Sequence, residues 1–276
     1  MHELNFRIED GPWNILQEHC DKTGERLEDV FSAALADFFD IKHHTIYQIS
    51  TSVALVEGVI EGYVAVRDIC RLGDFGLGTF DGFDGEGILL DGICWQACSD
   101  GSVNRAPDEI KTPFWVVTNF KATERRSINK VSSLGNLKAQ LDKMCLSKNI
   151  FVAYRINGLF ERVKFRSLAK TRFPMHLVTV TDSQLELDLT NVYGTLVGFW
   201  SPQFSRGIGI NGYHFHFLSE DCKHGGHLLD LSAEKLDISL QIKNNLHLVL
   251  PETLPFLRAN LNNDPTLALA KSERNN

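Results

Sequence analysis

The sequence predicts an α+β protein built from two tandem β-rich domains, mixed-sheet or barrel-like, with few helices. After Thr45 most apolar residues fall in short runs rich in β-branched and aromatic side chains, which is typical of strands. Helical spacing of apolar residues is confined to residues 26–40 and 134–146, and the second segment lies between two β-rich stretches. The predicted organisation is an N-terminal helical extension over residues 1–44, a first β-rich domain over 45–150 and a second over 151–276.

Composition narrows the class of protein. Of the 276 residues, 43% are hydrophobic and 23% are charged, as in an ordinary folded globular protein. The net charge of −7, without a basic cluster, argues against nucleic acid as a partner. No run approaches about 20 apolar residues, and the N-terminus lacks an export pattern, so we expect neither a membrane span nor secretion. The six cysteines lie far apart except for Cys94 and Cys98, and this spacing predicts reduced thiols and a cytoplasmic location rather than a disulfide framework.

The first β-rich stretch contains a glycine-rich segment. Residues Gly73 to Gly92, GDFGLGTFDGFDGEGILLDG, alternate glycines with Asp and Phe, which predicts tight turns between short strands. Gly76 and Gly78 suggest a dinucleotide-binding loop, but the strand-to-helix unit that such a loop opens does not follow. Elsewhere in this stretch, strands are predicted over residues 45–58, 63–69 and 113–120.

The second β-rich stretch opens with IFVAYRINGLFERVKFRS, residues 150–167. We predict two strands here, joined at Asn157-Gly158, because Asn-Gly is the preferred pair in two-residue hairpin turns. The later strands are predicted over residues 176–183, 195–201, 212–220, 227–234 and 236–251.

A candidate metal site lies in the motif Tyr213-His214-Phe215-His216-Phe217. The period of two in a strand places both histidines on one face and the aromatic residues on the other, toward the core. After the loop SEDCKHGG, His227 opens the next predicted strand and can lie beside the first pair. Three neutral imidazoles leave coordination positions open, which is typical of a catalytic zinc site.

Two alternatives stay open at this point. The HxH pair alone is also compatible with a polar stripe that faces solvent. The presence of His227 is what favours a metal site. His224 is a rival third ligand, although its place in a glycine-rich turn makes it the weaker candidate.

Candidate acids and cations are less well defined by spacing. Glu86, in DGEG, is also compatible with an ordinary exposed hairpin acid, and Thr79 is equally ambiguous. Arg166 alternates with Arg162 and Lys164 on one predicted strand face, and three cations on one face usually mean a solvated surface. The residues alone do not select one of these cations.

Three long motifs occur in order along the chain. They are the glycine-rich segment Gly73 to Gly92, the ending Phe165-Arg166-Ser167, and VGFWSPQFSRGIGINGYHFHFLSEDCKHGGHLLD from Val197 to Asp230. Together these motifs resemble bacterial α-acetolactate decarboxylase. The resemblance extends from about Thr45 to the last residues. It implies a zinc enzyme that converts 2-acetolactate to acetoin and CO₂ on the route to 2,3-butanediol. It also implies tandem β-rich domains and a homodimer. Three imidazoles also accept other divalent transition metals, so the ligands alone do not fix the ion.

The resemblance also assigns residues. Its metal-binding histidines fall on His214, His216 and His227. The remaining family residues fall on Thr79, on Glu86 near the metal, on Arg166 as the catalytic arginine, and on Glu273 in a tail that folds back to the site. Gly87 stands where relatives are expected to carry a larger apolar residue, a change that would alter the shape of the pocket rather than its chemistry.

Two other functions fit parts of the pattern. His214, His216 and Glu220 reproduce the HxHxxxE spacing of cupin-like metal-dependent oxygenases, although the glycine-rich segment has no role in such an enzyme. A non-enzymatic binding module stabilised by a metal also fits the histidine spacing.

Overall fold

The structure, a computed structural model, describes residues 6–24, 26–38, 44–145, 147–171 and 184–273, without the side chains of residues 29, 32, 33, 36, 37 and 270–273. The chain forms two compact units, residues 1–43 and 44–276. The first contains α1 (Asp10–Thr23) and α2 (Leu27–Phe38). The helix predicted over residues 26–40 is confirmed as α2. α1 was not predicted, although its C-cap, Gly24 with φ of 74°, is the usual helix-ending glycine.

The second unit holds the remaining elements. Its described helices are α3 (Ser52–Val56), α4 (Val66–Leu72), α5 (Leu134–Met144), α6 (Leu254–Arg258) and α7 (Thr266–Glu273). Its strands are β1 (Thr45–Ile49), β2 (Val64–Ala65), β3 (Phe75–Thr79), β4 (Glu86–Leu90), β5 (Ile93–Ala97), β6 (Val103–Arg105), β7 (Lys111–Thr112), β8 (Phe114–Thr118), β9 (Glu124–Val131), β10 (Phe151–Ser167), β11 (Leu185–Ser201), β12 (Gly212–Ser219), β13 (Gly225–Lys243) and β14 (Asn245–Val249). None of the described helices has the length and apolar character needed to cross a membrane.

A seven-stranded mixed sheet has the order β14-β1-β8-β3-β4-β5-β6. Adjacent strands of this sheet run antiparallel, except β1 and β14, which run parallel. The glycine-rich segment forms β3 and β4 near the centre of this sheet, with a tight turn between them, as predicted.

A second sheet has the order β10-β11-β12-β13-β9, and β10 also pairs with β13. This additional pairing closes β10 to β13 into a ring, so the predicted barrel-like character is confirmed. Buried side chains of these strands form a large apolar cluster, which Leu137 and Leu141 of α5 join. The α+β class with few helices is therefore confirmed.

The two sheets pack face to face through apolar side chains. Leu77 and Ile88 of the seven-stranded sheet share a buried cluster with Val197 and Leu218 of the ring. Both sheets also take strands from either side of residue 150, because β9 belongs to the second sheet and β14 to the first. The division into domains at residue 150 stays a prediction.

Two predicted strands are partly wrong. Residues 45–58 form β1 and then α3, because the Thr51 hydroxyl caps the helix by accepting a hydrogen bond from the Ala54 N–H at 3.3 Å. Residues 63–69 form only the short β2 before α4 begins at Val66. In both segments the β-branched residues favoured a strand by composition, whereas local capping and burial favour a short helix.

The hairpin predicted at Asn157-Gly158 is also wrong, because β10 runs unbroken from Phe151 to Ser167. Gly158 pairs with Gly194 on one side and Leu236 on the other. A Cβ at Gly158 would lie 2.8 Å from Leu236 Cδ2, so this glycine permits close approach of β13 rather than a turn. The strand predicted over residues 176–183 lies outside the described residues.

Candidate metal centre

The three predicted histidines converge between the two sheets. His214 and His216 lie on β12 and His227 lies on β13, where His216 and His227 are paired in register. Phe215 and Phe217 point the other way, into the apolar cluster of the ring, as the period of two predicts. All three histidines are buried, and one potential ligand atom from each lies within 4.8 Å of the others.

The distances between the imidazoles suit a shared ion. His214 Nε2 lies 3.1 Å from His227 Nδ1, and nitrogens that bind one tetrahedral zinc at about 2.0–2.1 Å lie roughly 3.3 Å apart. His216 Nδ1 lies 2.9 Å from the Gly87 carbonyl oxygen. Because a carbonyl can only accept, Nδ1 carries the proton and Nε2 keeps its lone pair. His216 Nε2 is buried and has no hydrogen-bond partner among the described residues.

Burial keeps these imidazoles neutral. It lowers the pKa of His214 to about 3, with help from the positive charges of Arg166 and Lys138. Burial is also the main reason that the pKa values of His216 and His227 lie well below the usual value. Neutral imidazole is the form that binds metal. The donor set, its protonation and the orphaned Nε2 therefore fit a divalent transition metal.

Thr79 and Glu86 reach the histidines from the seven-stranded sheet. They are register partners at the ends of β3 and β4, both buried. The Thr79 hydroxyl donates to the Gly85 carbonyl at 2.8 Å and so secures the turn between the strands. Glu86 Oε2 lies 3.6 Å from His216 Nε2, too far for a direct hydrogen bond. The local sequence had left Glu86 compatible with an exposed acid, and the structure buries it.

Arg166 lies on β10 directly opposite His227. A register shift between Lys164 and Phe165 interrupts the pairing just before it. The extra residue of this bulge is Leu229 on β13, so the bulge re-aims His227 and brings it to the face of Arg166. Arg166 is buried and donates from Nη1 to Gln184 Oε1 at 2.6 Å, while its Nε has no partner among the described residues. Arg162, on the same strand, instead forms exposed ion pairs with aspartates.

These groups surround a cavity of about 40 Å³. A volume this small suits a metal ion together with a compact substrate. Sequence reasoning missed its apolar wall, because no local pattern distinguishes these residues from other buried positions. The wall residues are Leu55, Phe83, Phe114, Leu168 and Ile210.

The other candidates lie elsewhere or outside the described side chains. His224 is half-buried, and Glu220 is exposed after the end of β12. Among the described residues neither belongs to the histidine group, so the cupin-like ligand set is not assembled. Glu273 ends α7, but its side chain lies outside the described part. Leu269 of the same helix packs with Phe114 and Ile210 of the cavity wall.

Comparisons with known proteins agree on one family. The family model for alpha-acetolactate decarboxylase matches residues 46–263. The chain is 40% identical over 230 residues to the alpha-acetolactate decarboxylase of Methanosarcina mazei, covering 83% of this chain and 80% of that protein. It is 36% identical over 219 residues to the corresponding protein of Bacillus subtilis, covering 79% and 86%. The fold resembles the crystal structure of the Bacillus subtilis alpha-acetolactate decarboxylase with a TM-score of 0.80 and 33% identity, over 84% of this chain and 100% of that one. The chain belongs to the alpha-acetolactate decarboxylase family of carboxy-lyases.

Proposed function

We propose that this chain decarboxylates 2-acetolactate to acetoin and CO₂ with a metal ion held by His214, His216 and His227. The observation that carries the proposal is the convergence of three buried, neutral imidazoles on one small cavity that Arg166, Thr79 and Glu86 also line. Three nitrogen ligands leave a position open for substrate, and zinc is the ion that this set suits best. Cobalt, nickel, copper and iron are compatible with the same ligands.

The reaction requires charge stabilisation. Breaking the bond to the carboxyl carbon releases CO₂ and leaves the electron pair on the neighbouring carbon, as an enediolate. When bound, the ion would supply a Lewis acid for this negative charge. Arg166 provides a fixed positive charge at the same cavity, and its planar fork of donors suits a carboxylate. We therefore assign Arg166 the role of orienting the substrate carboxylate and the anion that follows.

The anion must then take up one proton on carbon to become acetoin. Glu86 is buried at the cavity, where a carboxyl group can deliver a proton to one face of the substrate. Glu273, at the end of α7, is the second candidate for a ligand or proton-transfer role. Thr79 holds the turn that carries Glu86. The apolar wall excludes bulk water from the developing anion.

The test of the reaction is incubation of purified, zinc-loaded protein with racemic 2-acetolactate under anaerobic conditions while acetoin is measured. We expect acetoin and CO₂ in equal amounts. Turnover that requires and consumes oxygen would instead identify a cupin-like oxygenase, and bound metal without any turnover would identify a binding module.

The ligand assignment has its own test. Changing His214, His216 or His227 to Ala should lower metal content and abolish acetoin formation, because each loss opens the site. His224→Ala is the matched control, and it should keep both. Loss of metal in His224→Ala with retention in His227→Ala would contradict the assignment.

Two further properties belong to this proposal. A homodimer is implied by the family resemblance, and sedimentation of the purified chain tests it directly. A cytoplasmic location is supported by the six cysteines, which are all free thiols. Fractionation of cells that express the chain tests the location.

A further inference from the structure

Trp115 covers two glycines behind the metal centre. Trp115, Gly78 and Gly87 lie in one row across β8, β3 and β4, as successive register partners. Register partners present the same face, which is opposite to the face of Thr79 and Glu86. A Cβ at Gly78 would lie 2.6 Å from Trp115 Cδ2, and a Cβ at Gly87 would lie 2.4 Å from Trp115 Cζ2. The indole therefore occupies the space that side chains at both positions would need.

Gly87 connects this row to the histidines. It directly follows Glu86, and its carbonyl oxygen accepts the hydrogen bond from His216 Nδ1 at 2.9 Å. That hydrogen bond fixes which nitrogen of His216 is left to bind metal. Loss of a group that orients a metal-binding histidine in this way typically weakens metal binding by roughly 10–100-fold. Any shift of β4 at Gly87 would move both this carbonyl and the Glu86 carboxylate.

We propose that Trp115 is a positioning residue of the metal centre, which holds the Glu86–Gly87 segment against His216 through its contact with Gly87. The inference rests on the proposed metal centre. The contact with Trp115 also explains why a glycine follows Glu86, because a larger residue at position 87 would displace the indole.

Trp115 belongs to an apolar core cluster with Phe80 and Leu89, but filling that cluster does not require an indole. Trp115 is fully buried, and its Nε1 has no hydrogen-bond partner among the described residues. Burial of an unpaired N–H is unfavourable, and an aliphatic residue would fill a core without that cost. The indole has the length to reach across β3 to Gly87, which a smaller side chain on β8 lacks.

Val117 provides a matched control. It lies on β8 with the same facing as Trp115, is equally buried, and covers Gly76 rather than Gly87. Removal of its methyl groups should lower stability without touching the segment that supports His216.

The experiment is titration of metal-stripped protein with Co²⁺, followed by visible absorption, with folding checked by circular dichroism. Trp115→Phe withdraws the atoms over Gly87, and we expect roughly 10–100-fold weaker Co²⁺ binding. Gly87→Ala should weaken binding as well, because its methyl group meets Trp115. The double variant should bind more tightly than either single variant, since the methyl group then fills the space the indole left. Val117→Ala should bind as wild type.

The outcomes separate this inference from the metal centre itself. If His216→Ala keeps the Co²⁺ absorption, the metal centre is wrong. If His216→Ala loses it while Trp115→Phe keeps wild-type affinity, or if the double variant does not bind Co²⁺ more tightly than both single variants, Trp115 has no positioning role. Should Trp115→Phe fail to fold, Gly87→Ala carries the test alone, and unchanged Co²⁺ affinity in that variant overturns the inference.

Discussion

Arg162 and Arg166 lie on the same strand, yet their surroundings differ completely. Arg162 is bound by Asp188 and Asp230 in exposed ion pairs, and such pairs contribute little. Arg166 is buried at the histidine cavity and keeps an unpaired Nε. An unpaired buried guanidinium N–H is costly in a purely structural role, which favours a role with substrate.

Arg166→Lys should therefore keep the metal and lose most of kcat, because a point ammonium cannot reproduce the planar fork. A loss of about 100-fold or more corresponds to about 3 kcal/mol of transition-state stabilisation. Arg162→Lys is the matched control and should be nearly silent. The measurements are kcat, KM and metal content, and equal activities for the two variants would show that neither arginine acts on substrate.

At this scale the sequence predicts the site only in part. The strand period places His214 and His216 together, and one more strand brings His227, so these three follow from local geometry. Arg166 could not be separated from Arg162 by spacing, because both lie on the same face of β10 and only the pairing of Arg166 with His227 on β13 distinguishes them. The role of the Gly87 carbonyl has no sequence signal at all, since every residue carries a carbonyl.

Among the elements, α7 packs against the wall of the histidine cavity. Its Leu269 is buried with Phe114 and Ile210 of the cavity wall, whereas Leu267 is 85% exposed. By composition this segment resembles a frayed terminus that tolerates deletion. The packing of Leu269 and the role predicted for Glu273 lead us to expect that it does not.

Deletion of residues 272–276 should cripple acetoin formation while the β-rich core stays folded, and Glu273→Gln should behave alike, since it keeps size and removes the ionisable proton. Leu269→Ala should lower turnover by loosening the helix, with Leu267→Ala as its silent partner. Thermal unfolding and acetoin formation are measured together on all variants. Full activity of the truncated chain would leave Glu86 as the carboxyl group that delivers the proton.

Helices and strands could be predicted where the local sequence preference agrees with the pairing of strands in the fold. β8, β12 and α5 match their predicted ranges closely. The errors fall where a contact distant in sequence decides. β10 continues through Asn157-Gly158 because β11 and β13 pair with it on both sides, and no local signal reports those partners. In contrast, α3 had a local signal, the Thr51 cap, which a run of β-branched residues outweighed in the prediction.

At the scale of the molecule, the N-terminal unit lies outside the region that the family model matches. The Bacillus subtilis structure is matched over its full length by 84% of this chain, and the family model begins at residue 46. Residues 44–276 also form a compact unit of their own. The part shared with the family is thus expected to fold without residues 1–43.

A chain that starts at His44 should therefore keep its metal, its kcat and its KM. Zinc content, steady-state kinetics and thermal unfolding of this shortened chain give the comparison with the full chain. A fall in kcat with intact folding and metal content would instead assign the first 43 residues a part in turnover.

Acid should destabilise the metal-stripped protein through the buried histidines. Their pKa values are lowered in the folded state, to about 3 for His214, against an unfolded value of about 6.5. The unfolded chain therefore binds more protons below pH 6.5, and stability present above that pH is lost as pH falls toward 3. Each such histidine contributes about 1.4 kcal/mol per pH unit in this window.

Urea unfolding of metal-stripped wild type and His214→Gln between pH 7 and 5 measures this effect. The free energy of unfolding should fall more steeply with acid in the wild type, by about 1.4 kcal/mol per pH unit below pH 6.5. Parallel pH profiles for the two proteins would show that His214 titrates normally in the folded chain.

The parallel pairing of β1 with β14 has a consequence for biosynthesis. β1 begins at Thr45, but the strand that covers its outer edge ends at Val249. During translation β1 therefore waits for about 200 further residues before its outer edge is covered, and open edges invite pairing with other chains. The ring of β10 to β13 closes on itself once residue 243 is made. Because β14 follows β13 after a single residue, the ring and the first sheet should be completed together, and ribosome-bound chains whose β13 and β14 are still inside the exit tunnel should depend most on chaperones.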